Sequence, residues 1–255
     1  MDNFSMFVKT HEFDVFGVNE TWLDGSINNA EIEVTGYSVV RRDRNRFGGG
    51  VCFYIRDSVQ YQVLTDIGNC IESIWISVKL KQSKLIIGTV YRPPSSGQVY
   101  LDNIHNAIQR AVDISDHVIV MGDLNFDCLY ESDPNRSPIS YIENLFDMKQ
   151  IISSPTRVTM NSKSLLDVIL TTNCERHTHT GVINVAMSDH DCVVSDYCLE
   201  ENIKGVNHKQ ITYRDYSDFC LENFLHDLSK CEAIISVDFE DSDLDHKWEL
   251  FKLLF

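Results

Sequence analysis

The 255-residue chain carries a formal net charge of −16, with 43% hydrophobic and 24% charged side chains. This is the composition of a folded globular protein, and it excludes disordered, fibrous and strongly basic nucleic-acid-binding proteins. No run approaches the ~18 apolar residues of a membrane span, and the first ten residues lack the layout of a signal peptide. We therefore expect a soluble, intracellular protein with no membrane partner.

The predicted strands are rich in Val, Ile, Phe and Tyr and are bounded by Gly, Asn, Asp, Ser or Pro. Several are apolar on both faces, which is typical of a sheet covered by a second layer. They span residues 14–20, 36–42, 49–57, 72–80, 84–92, 117–125, 164–172, 181–187 and 191–199.

Two helices are predicted between these strands. In "SGQVYLDNIHNAIQRAVD", Val99, Ile104, Ile108 and Val112 recur at near-helical spacing, and in "PISYIENLFDM" (138–148) Pro138 suits a first helical turn. Strands with interspersed helices predict a layered α/β or α+β domain.

The strand pattern of the sequence ends near residue 200. The polar stretch "ENIKGVNHKQ" is typical of a linker, and the apolar spacing in "DYSDFCLENFLHDLSKCEAI" predicts a helix. We therefore divide the chain into a domain at 1–199 and a linker with a helical segment at 200–255. The last residues, Leu253, Leu254 and Phe255, show no helix stop signal, so we expect a fragment.

The eight cysteines show no CxxC pair and no regular spacing. Most lie in apolar runs such as "VCFYI" and "DCVVS", which favours buried reduced thiols over disulfides or a zinc site.

The stretch "RRDRNRFGGG" places Arg41, Arg42, Arg44 and Arg46 within six positions. One interpretation is a solvated loop. The other is a local phosphate-binding patch on an otherwise acidic protein. Both remain open from the residues alone.

Polar side chains follow several predicted strands at the point where each strand ends. In "HVIVMGDLNFD" an apolar run stops at Gly122 and is followed by Asp123 and Asn125, one residue apart. Similar groups stand in "NETW" (Glu20), "GTVYRPP" (Tyr91 and Arg92), "SLLDVIL" (Asp167) and "MSDHDCVV" (Ser188, Asp189 and His190). Together they could supply a hard oxygen ligand for Mg²⁺, a proton-transfer carboxylate, an amide donor and an imidazole oriented by a second carboxylate.

This ordered set of motifs resembles the endonuclease/exonuclease/phosphatase superfamily. More narrowly, it is similar to the apurinic-type endonuclease domain of non-LTR (LINE-like) retrotransposons. "RFGGGVCFYI" and the tail "YRDYSDFCLENFL" add to the likeness. The resemblance implies a two-sheet β-sandwich flanked by helices, and a reverse transcriptase domain in cis in the full-length element.

The resemblance also implies roles for individual residues. Glu20 would be the metal ligand and Asp189 a second acidic group near the metal. The other implied roles are a phosphate contact for Tyr91 and Asn125, proton transfer for Asp123, a phosphate and water contact for His190, orientation of that histidine by Asp167, and DNA phosphate binding by Arg41, Arg42, Arg44, Arg46 and Arg92. The split of acid and base roles between Asp123 and His190 stays open.

The function implied is a nuclear, Mg²⁺- or Mn²⁺-dependent endonuclease that nicks DNA and leaves a 3′-hydroxyl usable as a primer. A superfamily sibling would act instead on an inositol phosphate or a nucleotide tail. A third hypothesis is an inactive remnant: members of the family begin with a strand that carries an asparagine, and "MDNFSMFVKTHEFDVFGVNE" predicts only a helix and the strand after it. We do not assign that role to Asn3, and we expect weak activity from the chain as given.

Overall fold

The computed structural model describes residues 2–81, 83–129 and 137–199, together with Leu225, His226 and Ser229. The chain divides into two compact units, Met1–Ile203 and Lys204–Phe255. In the second unit the three described residues are helical, and the Ser229 hydroxyl donates a hydrogen bond to the His226 carbonyl oxygen (2.7 Å). The rest of the predicted linker and helix lies outside the described residues.

The first unit is a mixed α/β structure of helices and several sheets, as the sequence predicts. Its elements, among the described residues, are α1 Asp2–His11, β1 Val15–Asn19, β2 Tyr37–Arg42, β3 Val51–Arg56, β4 Tyr61–Val63, β5 Glu72–Lys79, β6 Lys84–Tyr91, α2 Gln98–Ile114, β7 His117–Asp123, α3 Pro138–Phe146, β8 Lys149–Gln150, β9 Arg157–Val158, β10 Lys163–Ser164, β11 Asp167–Thr171, β12 His177–Ile183 and β13 Cys192–Tyr197, with short 3-10 helices at Asn29–Glu31 and Cys174–Arg176. No helix among these residues is long and apolar enough to cross a membrane.

The largest sheet has six strands in the order β4-β5-β6-β7-β11-β8. β6 and β7 run parallel, and the 17-residue helix α2 makes the crossover that a parallel pair requires. Most residues of β5, β6 and β7 are buried, because the sheet is covered on both faces. This explains why their sequences are apolar without alternation.

A second sheet has three strands in the order β1-β3-β2. Side chains of β3 alternate between its two faces: Phe53 and Ile55 join the main core, whereas Cys52 and Tyr54 pack with α1. Since β1 contacts β6 and β7, the two sheets face each other as a sandwich. The α/β sandwich that the sequence predicts is therefore confirmed.

Two smaller two-stranded sheets, β9-β10 and β12-β13, complete the described part of the unit. The predicted strand at 181–187 is wrong in its second half, because β12 ends at Ile183. The Asp191 carboxylate accepts hydrogen bonds from the Asn184 side chain (2.8 Å) and the Val185 amide nitrogen (3.3 Å), which closes a loop there. This loop carries Asp189 and His190.

Six cysteines fall within the described residues, and all of them are free thiols. Only Cys52 among them is buried, whereas Cys70 and Cys174 are exposed. The prediction of free thiols is confirmed for these six, and the prediction that most are buried is wrong.

Gly122, near the end of β7, lies close both to the neighbouring strand β6 and to β1 of the three-stranded sheet. Its φ is +137°, and a Cβ atom there would lie 2.1 Å from the Val90 carbonyl oxygen and 2.8 Å from Asn19 Oδ1. The Asn19 oxygen accepts a hydrogen bond from the Asp123 amide nitrogen (3.0 Å). Glycine is therefore required at position 122, because a side chain there would collide with Val90 and Asn19.

We expect Gly122→Ala to lower the free energy of unfolding by about 2–4 kcal/mol, since both its backbone conformation and its space exclude a side chain. Urea unfolding followed by circular dichroism measures the loss. Gly25→Ala is the matched control, because a Cβ atom at Gly25 would meet nothing within 4 Å. A loss at Gly122 no larger than that at Gly25 would contradict the close approach.

Candidate active site

Polar residues from the ends of several strands line one cleft of about 790 Å³. The cleft lies where the three-stranded sheet meets the ends of β7 and β11. Its lining includes Asn19, Glu20, Asp123, Asn125, Asp167, Asp189 and His190. The structure therefore brings together most of the residues that the sequence singled out, and Tyr91 reaches the same place through Glu20.

Asp123 and Asp167 lie opposite each other on two neighbouring strands. β7 and β11 are antiparallel, and these two residues are direct partners in their register. Asp123 is only 6% exposed, and its Oδ1 accepts a hydrogen bond from the Asn125 amide nitrogen (2.9 Å). Burial, with the charge of Asp167 adding to it, raises the pKa of Asp123 to about 7. This carboxyl group can therefore gain or lose a proton near neutral pH.

His190 is oriented by Asp167, as the sequence predicts. Its Nδ1 lies 2.7 Å from Asp167 Oδ2, and this hydrogen bond is the main cause that raises the pKa of His190. The backbone is fixed as well, because the Asp191 amide nitrogen donates to the Thr156 carbonyl oxygen (2.7 Å). With Nδ1 engaged, Nε2 is the ring nitrogen left to meet a substrate.

Glu20 follows β1 in a left-handed backbone conformation, with a φ of +54°. Both carboxylate oxygens are held: the Tyr91 hydroxyl donates to Oε1, and Trp22 Nε1 donates to Oε2 at 3.0 Å. Burial, together with the hydrogen bond to Glu20, raises the pKa of the Tyr91 hydroxyl above its ordinary value. Tyr91 is thus a neutral donor that positions Glu20.

Asn125 also has a left-handed backbone (φ +51°), which asparagine tolerates better than most residues. Its side-chain amide donates one hydrogen bond to the Arg92 carbonyl oxygen (2.9 Å). The second N–H of this amide remains for a ligand in the cleft.

Asp189 is held by an arginine that the sequence did not predict. Both Arg157 Nε (3.0 Å) and Arg157 Nη2 (2.8 Å) donate to its Oδ2. Asp189 lines the same cleft as Glu20, and both lie outside the group formed by Asp123, Asp167 and His190. A second acidic group near the metal therefore stays a prediction, with the Asp189 carboxylate paired to Arg157.

Three of the predicted phosphate-binding arginines donate hydrogen bonds from their guanidinium groups to backbone carbonyl oxygens. Arg41 binds those of residues 24 and 27 (3.1 and 2.7 Å), and Arg42 binds those of residues 68 and 69 (2.9 and 2.7 Å). Arg92 is 8% exposed, binds the carbonyl of residue 96 (2.9 Å) and covers the Phe126 ring at 4.1 Å. These contacts stabilise loops and engage the guanidinium groups, and phosphate binding by these three residues stays a prediction.

Arg44 and Arg46 form ion pairs instead. Arg44 Nη1 lies 2.8 Å from Glu72 Oε1, and Arg46 Nε lies 3.1 Å from Asp24 Oδ2. The Arg46 side chain is 61% exposed, so a surface pair of this kind can exchange for a phosphate. Phosphate binding by these two arginines stays a prediction, and Arg46 is the better placed.

Asp123, Asp167 and His190 offer ligand atoms that all lie within 4.8 Å of one another. Two carboxylates suit a hard divalent cation such as Mg²⁺ or Mn²⁺, and the imidazole adds a donor that Mn²⁺ accepts more readily. Glu20 contributes a further carboxylate to the same cleft. The donor set therefore fits the metal that the sequence predicts.

Four residues of the site escaped the sequence analysis. Asn19, directly before Glu20, could have been found by the strand-end rule that found Asp123. Trp22 stands in the quoted motif "NETW", where no role was assigned to it, and nothing in the local sequence marks Thr156 or Arg157. Buried Thr156 accepts hydrogen bonds at Oγ1 from the amide nitrogens of Leu166 (3.1 Å) and Asp167 (3.2 Å), which fixes the start of β11.

Acidic residues and a histidine at the strand ends of a layered α/β fold are typical of hydrolases that act on phosphate esters. The chain belongs to the Endonuclease/Exonuclease/phosphatase family, whose model matches residues 1–190. Members of this family are phosphodiester and phosphate-ester hydrolases. A comparison with curated protein sequences gives no match.

Solved structures with the same fold include nucleases and phosphatases. The endonuclease domain of TRAS1, a telomere-specific non-LTR retrotransposon, has a TM-score of 0.62 at 13% identity, over 77% of this chain and 91% of that domain. A 3′ phosphatase from Neisseria bound to a product DNA hairpin has a TM-score of 0.56 at 14% identity, over 77% and 93%. A mannosyl-6-phosphatase from Bacteroides thetaiotaomicron has a TM-score of 0.53 at 14% identity, over 76% and 88%.

We expect Asp167→Asn to lower the pKa of His190, because the substitution removes the negative charge from the hydrogen-bond partner. NMR titration of the imidazole carbons in metal-free protein measures the change. His177, which is hydrogen-bonded to Thr171 (3.0 Å) and Ser195, serves as the internal control and should titrate as before. An unchanged His190 titration would mean that Asp167 does not govern its charge.

We expect Asp123→Asn to change how stability depends on pH. The folded pKa of Asp123 is raised, so its contribution to stability is complete below the unfolded pKa and is lost as pH rises through about 7. The variant has no charge to bury and should gain on the order of 2 kcal/mol over the parent between about pH 4 and about pH 8. Urea unfolding at each pH measures this. Asp113→Asn controls for the loss of a charge, because Asp113 is an exposed residue of α2. A pH-independent difference would contradict the raised pKa.

Proposed function

We propose that this chain is a metal-dependent endonuclease that nicks DNA and leaves a 3′-hydroxyl, as in the endonuclease of a non-LTR retrotransposon. The observation that carries the proposal is the group formed by Asp123, Asp167 and His190 at the base of an open cleft. The group combines a proton-transfer carboxyl, an oriented imidazole and candidate metal ligands. Metal-assisted hydrolysis of a phosphate diester can use all three.

The proton chemistry follows from burial and charge. Asp123, with a pKa of about 7, can accept a proton from the attacking water when it is ionised. His190, whose pKa is raised through Asp167, holds a proton more readily and so donates a hydrogen bond to a phosphate oxygen. This assignment gives the base role to Asp123 and the phosphate contact to His190. The free N–H of Asn125 would add a second donor to the phosphate.

Mg²⁺, which Mn²⁺ could replace, would be held by Glu20 together with the Asp167 carboxylate, so that Asp123 keeps its proton-transfer role. When bound, the ion supplies positive charge that stabilises the phosphate oxygens as the bond breaks. Tyr91 and Trp22 hold the Glu20 carboxylate from both sides and so keep it directed into the cleft. Their contribution is to fix the ligand before any ion arrives.

DNA is favoured as the substrate by two observations. The motifs "NETW" and "RFGGG" and the order of the strand-end residues resemble retrotransposon endonucleases, and the TRAS1 domain shares the fold. The structural relative from Neisseria is described with a DNA product. On this proposal the protein acts in the nucleus, with a reverse transcriptase domain in cis in the full-length element.

A second candidate is hydrolysis of a small phosphate ester. The net charge of −16 opposes binding of a long polyanion, and Arg41, Arg42 and Arg92 are already engaged within the protein. A cleft of about 790 Å³ could hold a sugar phosphate or a nucleotide. The mannosyl-6-phosphatase relative shows that the fold accommodates such chemistry.

We expect supercoiled plasmid to be converted slowly to the open circle in Mg²⁺ but not after addition of EDTA, in keeping with the weak activity that the sequence predicts. Asp123→Ala and His190→Ala should each lower the rate by ~10²–10⁴, as is typical for loss of a proton-transfer group. His179→Ala is the matched control, since His179 is an exposed residue of β12 that is paired only with surface Asp196. Gel densitometry of the nicked product measures all four proteins.

The same preparations should be tested for phosphate release from mannose 6-phosphate and from a nucleoside monophosphate. Release that depends on Asp123, without plasmid nicking, would replace the endonuclease by the second candidate. Nicking that survives Asp123→Ala would contradict the site assignment.

A further inference from the structure

The turn between β2 and β3 carries one of the most exposed aromatic side chains among the described residues. Phe47 is 88% exposed. The turn is closed by hydrogen bonds from the Phe47 amide nitrogen to Asn45 Oδ1 (2.9 Å) and from the Gly48 amide nitrogen to the Asn45 carbonyl oxygen (3.3 Å). The ring packs against no core and does not account for the stability of the hairpin.

This turn is rigidly held. The Arg44 side chain binds the Gly48 carbonyl oxygen (2.8 Å) and Glu72 (2.8 Å), and Glu72 also accepts a hydrogen bond from the Gly50 amide nitrogen (2.6 Å). Gly49 has a φ of +68°, and a Cβ atom there would lie 2.3 Å from Glu72 Oε2. The backbone that carries Phe47 is therefore held before a ligand arrives, so contact with a ligand costs the rotamer freedom of one side chain and no ordering of the turn.

The turn is also joined to the active site. The amide nitrogens of Thr21 and Trp22 donate to the carbonyl oxygens of Gly50 (3.2 Å) and Gly49 (2.9 Å), and the Trp22 indole donates to Glu20. Counting residues along this path, Phe47 lies within roughly 20 Å of Glu20, or about six steps of a DNA duplex.

The neighbours of Phe47 suit a nucleic acid. Arg46, the preceding residue, is 61% exposed, and Trp22 is itself 54% exposed. Single exposed apolar residues are common and need no explanation. This turn is different, because it combines an exposed phenylalanine with an exposed arginine and is hydrogen-bonded to the loop that carries Glu20. That combination needs an explanation.

We propose that Phe47 is a wedge that inserts between two base pairs within about six steps of the cut and so selects DNA steps that unstack easily. The inference rests on the proposed endonuclease function and deepens it, because it assigns a residue to substrate selection. Aromatic and aliphatic wedges of this kind bend the duplex, and flexible pyrimidine–purine steps bend at the lowest cost. Arg46 would exchange its surface pair with Asp24 for the phosphate next to the wedge.

The test uses the full 255-residue chain and short duplexes that carry 2-aminopurine at successive positions around a mapped nick. In metal-free protein with EDTA, wild type should raise the fluorescence of 2-aminopurine at one or two adjacent positions, because unstacking relieves its quenching. Phe47→Ala should abolish this rise and weaken binding roughly 10-fold. Phe47→Trp should retain the signal, and the melting temperature of each variant should match wild type.

Tyr141→Ala is the matched control, since Tyr141 is an exposed aromatic residue (56%) on α3 whose ring contacts that of His105 at 5.2 Å. It should leave fluorescence, affinity and nicking unchanged. In sequenced nicking products, Phe47→Ala should spread the cuts evenly over steps that wild type discriminates.

The outcomes separate this inference from the function on which it rests. Wild-type nicking with no 2-aminopurine response, or a response that survives Phe47→Ala, would overturn the wedge and leave the endonuclease intact. Failure of wild type to bind or nick any duplex, with release of phosphate from a small ester, would overturn both.

Discussion

The arrangement of the site depends on the closeness of two sheets at Gly122. Asn19, the last residue of β1, accepts a hydrogen bond from the backbone of Asp123 and donates one to Thr89 (3.3 Å) on β6. A side chain at Gly122 would disturb the first of these bonds, because its Cβ atom would lie 2.8 Å from the asparagine oxygen. The two sheets are thus joined where Glu20 leaves one and Asp123 leaves the other. A hydrogen bond between the Asn19 side chain and the Asp123 backbone, rather than a flexible loop, sets the distance between them.

Much of the fold, and the centre of the site, could be predicted because both follow local rules. Runs of β-branched and aromatic residues between turn formers mark the strands, whatever the strands pair with. A polar residue at either end of a buried strand stands out in the sequence, so Asp123 and Asp167 can be predicted without knowing that their strands are neighbours. His190 could be paired with Asp167 only through the family resemblance, since the two lie in different elements.

The partners of the arginine cluster and of Asp189 could not be predicted, for a physical reason. A charged side chain takes its partner from whatever segment folds against it, and that segment is distant in the sequence. Arg41 binds carbonyl oxygens of a loop more than ten residues away, and Asp189 meets Arg157 across 32 positions. Local charge density therefore predicted a phosphate-binding patch where the protein uses most of these cations to hold its own loops.

The direct pairing of Asp123 with Asp167 also limits how such a protein can change over evolutionary time. Side chains alternate between the faces of a strand, so a shift of one residue in β11 would turn Asp167 away from the cleft and expose the apolar residues beside it. An insertion or deletion that altered this alignment would damage the core and the chemistry together. A descendant that keeps the fold but has lost the activity must therefore arise by replacement of side chains, with the length of this strand pair preserved.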